Sequence, residues 1–389
     1  MTGGGQRSRI FFDALRRRGP VEVVALTGYA HVDVSSLFPE SVAVHNLVSA
    51  KMPKEAPLLK RISIAATKFL FPMLWYRTEA KIAHYISNDI DLDRFDVVCC
   101  RHYQPFAFSG VQRGRARVLV DVDDFDGQTI VSRVRAVFGE WAAQSKVMTM
   151  LERRLTQVIV RGLEKADCVI FAAQQDVMEF DHPRSVLVPN VPFFEADRIL
   201  QAPSASRDVV FVGSYQHLPN QEGLRWFLSN CWPEIHRRAP DTKFRIVGRG
   251  GWPNFEPLQR ENPGVEVTGE VEDVAEAYAN ARVAISPINS GGGSKIKVVE
   301  GCAFARPVVC LPHSARGFDH RLVETLHVCD NSKTFVEAVL DLLQNDEIAD
   351  TKGRAAKDVQ QAKYSRRASE DRVLSALDEA LSRPQRPLA

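Results

Sequence analysis

Two blocks of alternating strand and helix patterns constrain the fold of this chain more than any other feature of its sequence. Each block contains short, nearly continuous apolar runs, separated by segments with apolar residues at helical spacing. Such runs are typical of strands that are covered on both faces, as in parallel sheets. A stretch with Pro, Ser and Asp at 189–208 separates the blocks and indicates a linker. The predicted strands are 21–27, 95–100, 116–122 and 166–173 in the first block, and 208–213, 243–248, 265–269, 282–288 and 306–311 in the second.

This alternation predicts an α/β protein with two doubly wound, Rossmann-like domains, each built from right-handed crossovers. The length of 389 residues also favours two domains, because single hydrophobic cores rarely grow that large. We predict a first domain over 1–195 and a second over 205–389, with further helices at the C-terminal end. Two domains of this kind are expected to face each other across a cleft.

The composition excludes several classes of protein. Hydrophobic residues form 45% of the chain and charged residues 25%, which is the balance of a soluble globular protein. The formal net charge of +2 gives no overall field that would attract nucleic acid, so no nucleic-acid partner is expected. No apolar run reaches the roughly 18 residues of a membrane span. The seven cysteines lack the paired spacing that would coordinate zinc, so we expect reduced core thiols of a cytoplasmic protein.

A glycine-rich segment, "SPINSGGGSKIKVVEG" at 286–301, follows one predicted strand of the second block. Glycine-containing loops also follow two other strands there, in "VGSYQHLPN" and "VGRGG". Ligands of doubly wound sheets bind where such loops gather, and glycines let backbone N–H groups approach an anion closely. The predicted ligand-binding residues of these loops are Gly213, Arg249, Gly291, Gly292, Gly293 and Ser294. His217 and His313 lie in the same group of loops, where a histidine is more often solvated.

Two lysines and a glutamate follow the glycines. A helix is predicted to begin at about Ser294, which puts Lys295 and Lys297 in its first turn. Cations there oppose the helix dipole, so their placement is unfavourable unless an anionic ligand compensates. This is a local argument for a diphosphate. Glu300 follows Lys297 by three residues, on nearly the same helix face, and can accept hydrogen bonds from ribose hydroxyls.

Three segments of the chain resemble the family 4 glycosyltransferases of the GT-B fold, also described as glycosyl transferases group 1. They are "GGGQRSRIFFDALRRRG", "FVGSYQHLPNQEGLRWFLSNCWPEI" and "VTGEVEDVAEAYANARVAISPINSGGGSKIKVVEGCAFARPVV". The likeness is greatest to bacterial members that assemble surface polysaccharides. The resemblance implies a nucleotide-sugar donor bound by the second domain and a glycan or lipid-linked acceptor bound by the first. It also implies transfer of a hexose with retention of configuration, without a metal or other cofactor.

The resemblance assigns roles to individual residues. Glu300 matches the second glutamate of the family's Glu-x7-Glu motif, which holds the donor ribose, and Lys297 matches the lysine found just before it. We therefore expect Lys297 to act in catalysis and Glu300 and Lys295 to bind the donor. The "GGGQR" segment resembles the first-domain loop that faces the donor phosphates. It contains the further predicted donor ligands Gly4, Gly5 and Arg7.

The sequence also departs from the family pattern. Gly292 stands where the first glutamate of the motif would fall, and "FVGSYQHLPNQEG" lacks the arginine and lysine that many members use to neutralise the diphosphate. A catalytically silent nucleotide-sugar-binding or scaffold protein of the same fold is therefore an alternative. A nicotinamide-dependent dehydrogenase is a weaker one, because "GRGGWP" breaks the G-x-G-x-x-G pattern.

Two stretches of the first domain predict further functional roles, one in catalysis and one in membrane contact. "DVDDFDG", which starts at Asp121, ends a predicted strand, and Asp123 and Asp124 are candidates for an acceptor-side catalytic role. A divalent-metal site at this acidic cluster is the less favoured alternative, because no histidine or second acidic cluster completes it. From 51 to 81, seven basic residues against two acidic ones surround "FLFPMLWY". Basic residues beside an apolar face are typical of a segment that binds anionic lipid, which predicts a peripheral contact with the inner face of the membrane.

The start of the chain departs from the resembled pattern as well. In the family an apolar strand precedes the glycine-rich loop, whereas only Met1 and Thr2 precede "GGGQR" here. A parallel sheet without an interior strand leaves backbone groups of its neighbours unpaired. We therefore expect the first strand of the N-terminal domain to be missing from this chain.

Overall fold

The structure is a computed structural model that describes residues 3–27, 34–48, 90–111, 114–122, 145–181, 183–192, 206–252, 256–291 and 295–384. The strands are β1 (Glu22–Thr27), β2 (Ala43–Val48), β3 (Val97–Arg101), β4 (Arg117–Val122), β5 (Cys168–Phe171), β6 (Ser185–Leu187), β7 (Val209–Val212), β8 (Phe244–Val247), β9 (Val265–Gly269), β10 (Val283–Ser286), β11 (Val308–Cys310) and β12 (His327–Val328).

The helices follow the same chain order, with 3-10 turns at Ser35–Leu37 and Leu92–Arg94. They are α1 (Gly3–Arg16), α2 (Tyr103–Ser109), α3 (Lys146–Leu163), α4 (Gln174–Phe180), α5 (Leu218–Asn230), α6 (Trp232–Arg238), α7 (Glu256–Glu261), α8 (Val274–Ala279), α9 (Ile296–Ala303), α10 (Pro312–Ala315), α11 (His320–Val323), α12 (Ser332–Gln344), α13 (Asp346–Tyr364) and α14 (Arg366–Ser382).

The chain divides into two compact units. The first comprises Met1–Ala172, Asp176–Val188 and Glu370–Ala389, and the second comprises Ala173–Gln175 and Pro189–Ser369. The second unit contains a six-stranded parallel sheet in the order β12-β11-β10-β7-β8-β9. This is the doubly wound order, in which the chain direction across the sheet reverses between β7 and β10. The predicted α/β class is therefore confirmed.

The two faces of this sheet bury separate apolar clusters. On β7, Val209 and Phe211 face a cluster with α5, α6 and α12, whereas Val210 faces a cluster with α8, α9 and α13. The same alternation occurs on β10, where Ile285 belongs to the first cluster and Ala284 to the second. Because both faces are covered, every residue of the strand can be apolar. This explains why the sequence shows continuous apolar runs rather than alternation.

Among the residues that the structure describes, the strands of the first unit form two sheets, and the strands within each sheet run parallel. One contains β1 and β2, and the other has the order β3-β4-β5-β6. All nine predicted strands are observed within two residues of their predicted ends, whereas β2, β6 and β12 were not predicted. The expected missing strand would precede the described residues and stays a prediction.

The last helix, α14, belongs mainly to the first unit rather than to the second. Its side chains Val373 and Leu377 pack in a cluster with Phe11, Leu119 and Ile170. This differs from the predicted domain over 205–389. The difference arises because the apolar side chains of α14 pack against α1 and the β3–β6 sheet, partners that the position of α14 in the sequence does not reveal.

Further sequence predictions concern the "GGGQR" segment, the cysteines and membrane-spanning helices. The "GGGQR" segment is not a loop, because α1 begins at Gly3 and includes it. The cysteines are core thiols as predicted: all seven are unpaired and six are buried. No helix in the described parts of the chain is long and apolar enough to cross a membrane. Residues 51–81 and Asp123 and Asp124 lie outside the described residues.

Candidate functional site

The loops that follow β7 and β8 are held together at the carboxyl end of the sheet. The Gly213 N–H donates to the Val247 carbonyl at 2.9 Å, and the Trp252 indole Nε1–H donates to the Gly213 carbonyl at 3.0 Å. Gly248 has φ +144°, and a Cβ atom there would lie 2.0 Å from the Gly213 carbonyl oxygen. Only glycine allows this approach. Gly213, a predicted donor ligand, therefore also has a structural role in joining the two loops.

The segment that leaves β10 is fixed by a buried serine. Ser314, on α10, donates its hydroxyl to the Ser286 carbonyl at 2.7 Å and lies 3.1 Å from the Ile288 carbonyl. It also accepts the Ile288 N–H at 3.3 Å and contacts the Ser286 hydroxyl at 3.0 Å. Backbone groups inside the domain need such partners, because leaving one unpaired costs about 1–3 kcal/mol. The start of the glycine-rich segment therefore has a defined conformation.

Helix α9 begins slightly later than predicted, with Lys295 as its N-cap residue and Ile296 as its first residue. The Lys295 side chain is 4% exposed, and its Nζ donates to the Gly291 carbonyl at 3.1 Å. The His313 Nε2 contacts the same carbonyl at 2.7 Å. Lys295, a predicted donor ligand, thus points its ammonium at its own loop. Gly292, Gly293 and Ser294 lie outside the described residues.

Lys297 lies in the first turn of α9, on the side of β7. Its Nζ is 5.5 Å from the centre of the Phe211 ring, within the range of a cation–π interaction. Desolvation by burial lowers the pKa of Lys297 to about 7, Lys295 acts in the same direction, and Glu300 opposes both. A ligand with negative charge would reverse this destabilisation of the ammonium. The predicted pairing of Lys297 with an anion is therefore electrostatically reasonable.

Glu300 lies one turn further along α9 and is 3% exposed. The Tyr278 hydroxyl of α8 donates to Glu300 Oε2 at 3.1 Å. The Tyr278 ring in turn stacks on Phe304, with 4.8 Å between ring centres and 13° between planes. Burial and the neighbouring Glu300 carboxylate raise the pKa of Tyr278, so the phenol stays a hydrogen-bond donor. The spacing prediction that put Lys297 and Glu300 on one helix is confirmed, whereas Tyr278 was not predicted.

Two residues at the same end of the sheet are exposed. Arg249, a predicted donor ligand, follows β8, and its backbone carbonyl accepts the Tyr215 N–H at 3.0 Å. Its side chain is exposed at the edge of the glycine loops. His217 is the N-cap residue of α5. Desolvation and then the cations Lys297 and Lys295 lower the pKa of the His217 ring. The electrostatic influence of both lysines therefore extends to the start of α5.

In the first unit, Arg7 is used differently from its predicted role. Its guanidinium is 2% exposed and donates to both Asp121 oxygens and to the Val188 carbonyl, the latter at 2.6 Å. Arg101 pairs with the same carboxylate from the end of β3. Arg7 therefore balances a fully buried aspartate of β4 rather than presenting its charge to a ligand. Gly4 and Gly5, the other predicted ligands here, lie in the first turn of α1.

His102 is a candidate that the sequence analysis missed. It follows β3, is exposed, and caps α2 with φ 72° and ψ 154°. Its N–H donates to the Asp121 carbonyl at 2.8 Å, which fixes this conformation. Residues other than glycine rarely adopt such angles, and strained positions of this kind cluster at functional sites. The only sequence signal was a histidine placed at the end of a predicted strand.

Among the residues that the structure describes, no group of three His, Cys, Asp or Glu side chains could hold a metal ion. The cationic side chains near the candidate site are chiefly those of Lys297, Lys295 and Arg249.

Comparisons with known proteins agree with this architecture. Residues 206–345 match the family model described as "Glycosyl transferases group 1". The search of curated proteins found no match. Among solved structures, HepE from Anabaena in complex with UDP and glucose has a TM-score of 0.62 at 13% identity, covering 97% of this chain and 96% of that one. WaaG, a glycosyltransferase of lipopolysaccharide biosynthesis, also has a TM-score of 0.62 at 13% identity, with 96% of each chain covered.

A third solved structure is longer than this chain. TarM matches with a TM-score of 0.56 at 14% identity, covering 78% of this chain but only 58% of TarM. At such identities these matches identify the fold and not the substrates. The chain therefore has the GT-B fold with two Rossmann-like domains, and its residues 206–345 match the model of the family of glycosyl transferases group 1.

Proposed function

We propose that this chain transfers a hexose from a nucleoside diphosphate sugar to a glycan or lipid-linked acceptor in polysaccharide biosynthesis, with retention of configuration. The observation that carries the proposal is the pair Lys297 and Glu300 on α9, beside the carboxyl ends of β7 and β10. A half-buried lysine and a buried carboxylate, spaced by one helix turn, suit a diphosphate and the adjoining ribose.

The solved structures of the same fold support this choice of donor. HepE was crystallised with UDP and glucose, and TarM from S. aureus was crystallised with UDP. WaaG acts in lipopolysaccharide biosynthesis. A nucleoside diphosphate hexose is therefore the first donor class to test, and a bacterial surface glycan is the first acceptor class.

The proposed reaction places most of the chemical demand on the leaving group. The bond between the anomeric carbon and the diphosphate oxygen breaks, the acceptor hydroxyl oxygen bonds to that carbon, and the acceptor-side base takes up the hydroxyl proton. Negative charge on the leaving diphosphate grows in the transition state, where a positioned cation is most effective. Lys297 would supply this charge, with Arg249 at the edge of the site, so the reaction would proceed without a metal.

The remaining assignments belong to the same proposal. The first unit would bind the acceptor, with Asp123 or Asp124 as the acceptor-side base. These aspartates follow β4 in the sequence, and His102 follows the adjacent strand β3. The basic, aromatic stretch 51–81 would bring the protein to anionic lipid at the cytoplasmic face of a membrane. A lipid-linked acceptor would be found at that surface.

A catalytically silent nucleotide-sugar-binding protein is the second candidate. Two features of the sequence favour it. Gly292 replaces the glutamate that contacts the donor sugar, and Ser214 and its neighbours provide no basic pair for the diphosphate. Both functions require donor binding, but only the transferase requires turnover.

The test is a calorimetric and thermal-shift panel of nucleoside diphosphate sugars, followed by a transfer assay with the donor that binds best. A donor at 100 times its Kd should raise the free energy of unfolding by about 2.7 kcal/mol. Binding with transfer of sugar supports the transferase, and the anomeric configuration of the product tests retention. Binding with neither transfer nor hydrolysis of the donor supports the catalytically silent nucleotide-sugar-binding protein. The absence of binding by every donor would contradict both candidates.

A further inference from the structure

The carbonyl oxygen of Gly291 contacts two side chains from different parts of the chain. Lys295, at the start of α9, donates from Nζ to this oxygen at 3.1 Å. His313, on α10, has its Nε2 atom 2.7 Å from the same oxygen. A carbonyl oxygen can only accept hydrogen bonds, so Nε2 of His313 must carry the hydrogen. The contact is therefore an N–H to carbonyl hydrogen bond.

The proton state of His313 agrees with this geometry. Burial lowers the pKa of the His313 ring, the hydrogen bond to Gly291 opposes this effect, and Lys295 lowers the pKa further. Arg316 also lowers it, and the Ser290 backbone opposes the change. The ring is thus neutral at physiological pH, with its hydrogen on Nε2. A neutral donor can share the carbonyl with the Lys295 ammonium without adding a second positive charge.

Gly291 itself cannot be replaced by another residue in this conformation. Its φ is +89°, in the left-handed region, and a Cβ atom would lie 2.9 Å from Cγ of Pro219 on α5. The turn at Gly291 is consequently fixed by its own backbone, by α5 and by the two donors. This is more support than an ordinary surface turn has.

Helix α10 therefore holds the segment between β10 and α9 at two points. Ser314 binds the carbonyls of Ser286 and Ile288 at the start of the segment. The preceding residue, His313, binds Gly291 five residues after Ser286. From Gly291 the connection continues through Lys295, the N-cap residue of α9, to the first turn that contains Lys297.

We propose that His313 is a positioning residue for the donor: through the Gly291 carbonyl and Lys295 it fixes the start of α9, and with it Lys297 and Glu300. The proposal rests on the donor-binding function proposed above. His313 touches no reacting atom in this account. Its contribution is geometric, and small displacements of groups that stabilise charge reduce turnover strongly.

Lys295 has a different role here from the one that the sequence predicts. Its ammonium completes the support of the Gly291 turn, so its first contact is with the protein and not with the donor. Lys297 then remains the lysine of α9 that meets the diphosphate. His313 and Lys295 act on the same oxygen, so removing both should do little more harm than removing the more important one.

The test compares two substitutions that separate the hydrogen bond from the ring volume. His313→Gln keeps an N–H donor at about the reach of Nε2, whereas His313→Phe keeps the ring and loses the donor. For each variant we would measure the donor Kd by calorimetry, kcat and KM for the donor, and Tm. The control pair is His320→Gln and His320→Phe, since His320 is on α11 with its side chain 74% exposed.

We expect His313→Phe to lower kcat/KM for the donor by about tenfold or more, and His313→Gln to stay within about threefold of the unsubstituted protein. Both should melt close to the unsubstituted protein, and the control pair should not change. Equal activity of both His313 variants would overturn the proposal. Retained activity in His313→Phe with loss in His313→Gln would assign a packing role instead. If the unsubstituted protein binds no donor at all, the proposed function fails first, and this inference fails with it.

Discussion

The Tyr278 hydroxyl and the Glu300 carboxylate form a hydrogen bond of 3.1 Å between two side chains that are 1% and 3% exposed. The bond joins α8 to α9, and its two residues are 22 positions apart in the sequence. It orients the carboxylate at the end of the helix face that carries Lys297. The ribose function proposed for Glu300 therefore depends on a residue outside α9.

Glu300→Gln tests the ribose role directly. The amide keeps the size of the side chain but removes the charged acceptor, and hydrogen bonds to charged groups contribute about 1.5–3 kcal/mol. We expect donor affinity to fall by roughly tenfold to 150-fold. Calorimetric titration with the best-binding nucleoside diphosphate sugar measures this change, and circular dichroism checks the fold. Undiminished affinity would remove Glu300 from the donor site.

Tyr278→Phe should reproduce part of that loss without touching the donor. Glu300 Oε2 loses its donor inside the protein, which destabilises the fold by about 1–3 kcal/mol and releases the carboxylate from its orientation. The matched control is Tyr364→Phe, because Tyr364 is also buried and its hydroxyl accepts the Asp319 N–H at 2.8 Å, a hydrogen bond that does not involve Glu300. Both variants should lower Tm, but only Tyr278→Phe should weaken donor binding. An equal effect of the two on binding would mean that general destabilisation is responsible.

The sequence identified those features that depend on neighbours along the chain. The strands β7 and β10 were predictable because both of their faces are covered, which produces continuous apolar runs. The pair Lys297 and Glu300 was predictable because helix geometry fixes which residues share a face. The runs of β2 and β12 were missed because β2 contains His and Asn and β12 has two residues.

Features that depend on distant residues were not predictable. Arg7 resembled a ligand of the donor phosphates, but its partner Asp121 lies 114 positions away and buries its charge. Lys295 was expected to bind the donor, whereas its Nζ donates to the Gly291 carbonyl. The strain at His102 comes from the geometry at the end of β3, and no residue type in the sequence reports it. Glycine and charge patterns thus indicated a candidate site, whereas the hydrogen-bond partners around it could be identified only from the fold.

Lys297→Met should change the pH dependence of donor binding. The pKa of Lys297 is lowered from 10.5 to about 7 in the folded protein. Between these values the unfolded chain binds more protons than the folded one, so the lysine makes stability rise with pH in this window. A bound diphosphate favours the ammonium form of Lys297. Above about pH 7, donor binding is therefore accompanied by uptake of a proton by this lysine. Donor affinity should therefore fall as pH rises above 7, by up to about tenfold per pH unit.

Calorimetry of donor binding between about pH 6 and pH 9, in buffers of different ionisation enthalpy, measures both the affinity and the proton uptake. In Lys297→Met the proton uptake above pH 7 should disappear, and turnover should fall more than affinity does. The control is Lys243→Met, since Lys243 directly precedes β8, is 52% exposed and pairs with Glu266 of β9. A pH profile that Lys297→Met leaves unchanged would assign the proton to another group.

His102→Gly and His102→Ala test whether the strained conformation at the end of β3 serves the reaction. With φ 72° and ψ 154°, His102 occupies a region that glycine enters freely, and such strain costs on the order of 1–3 kcal/mol. His102→Gly should therefore raise the free energy of unfolding relative to His102→Ala, which keeps the Cβ atom and loses only the ring. Urea unfolding measures this difference. Both variants should reduce transfer while leaving donor binding by the second unit unchanged, because the ring belongs to the first unit. If His102→Gly is more stable and fully active, the strain has no function in transfer, and if it is no more stable than His102→Ala, the backbone at this position is not strained.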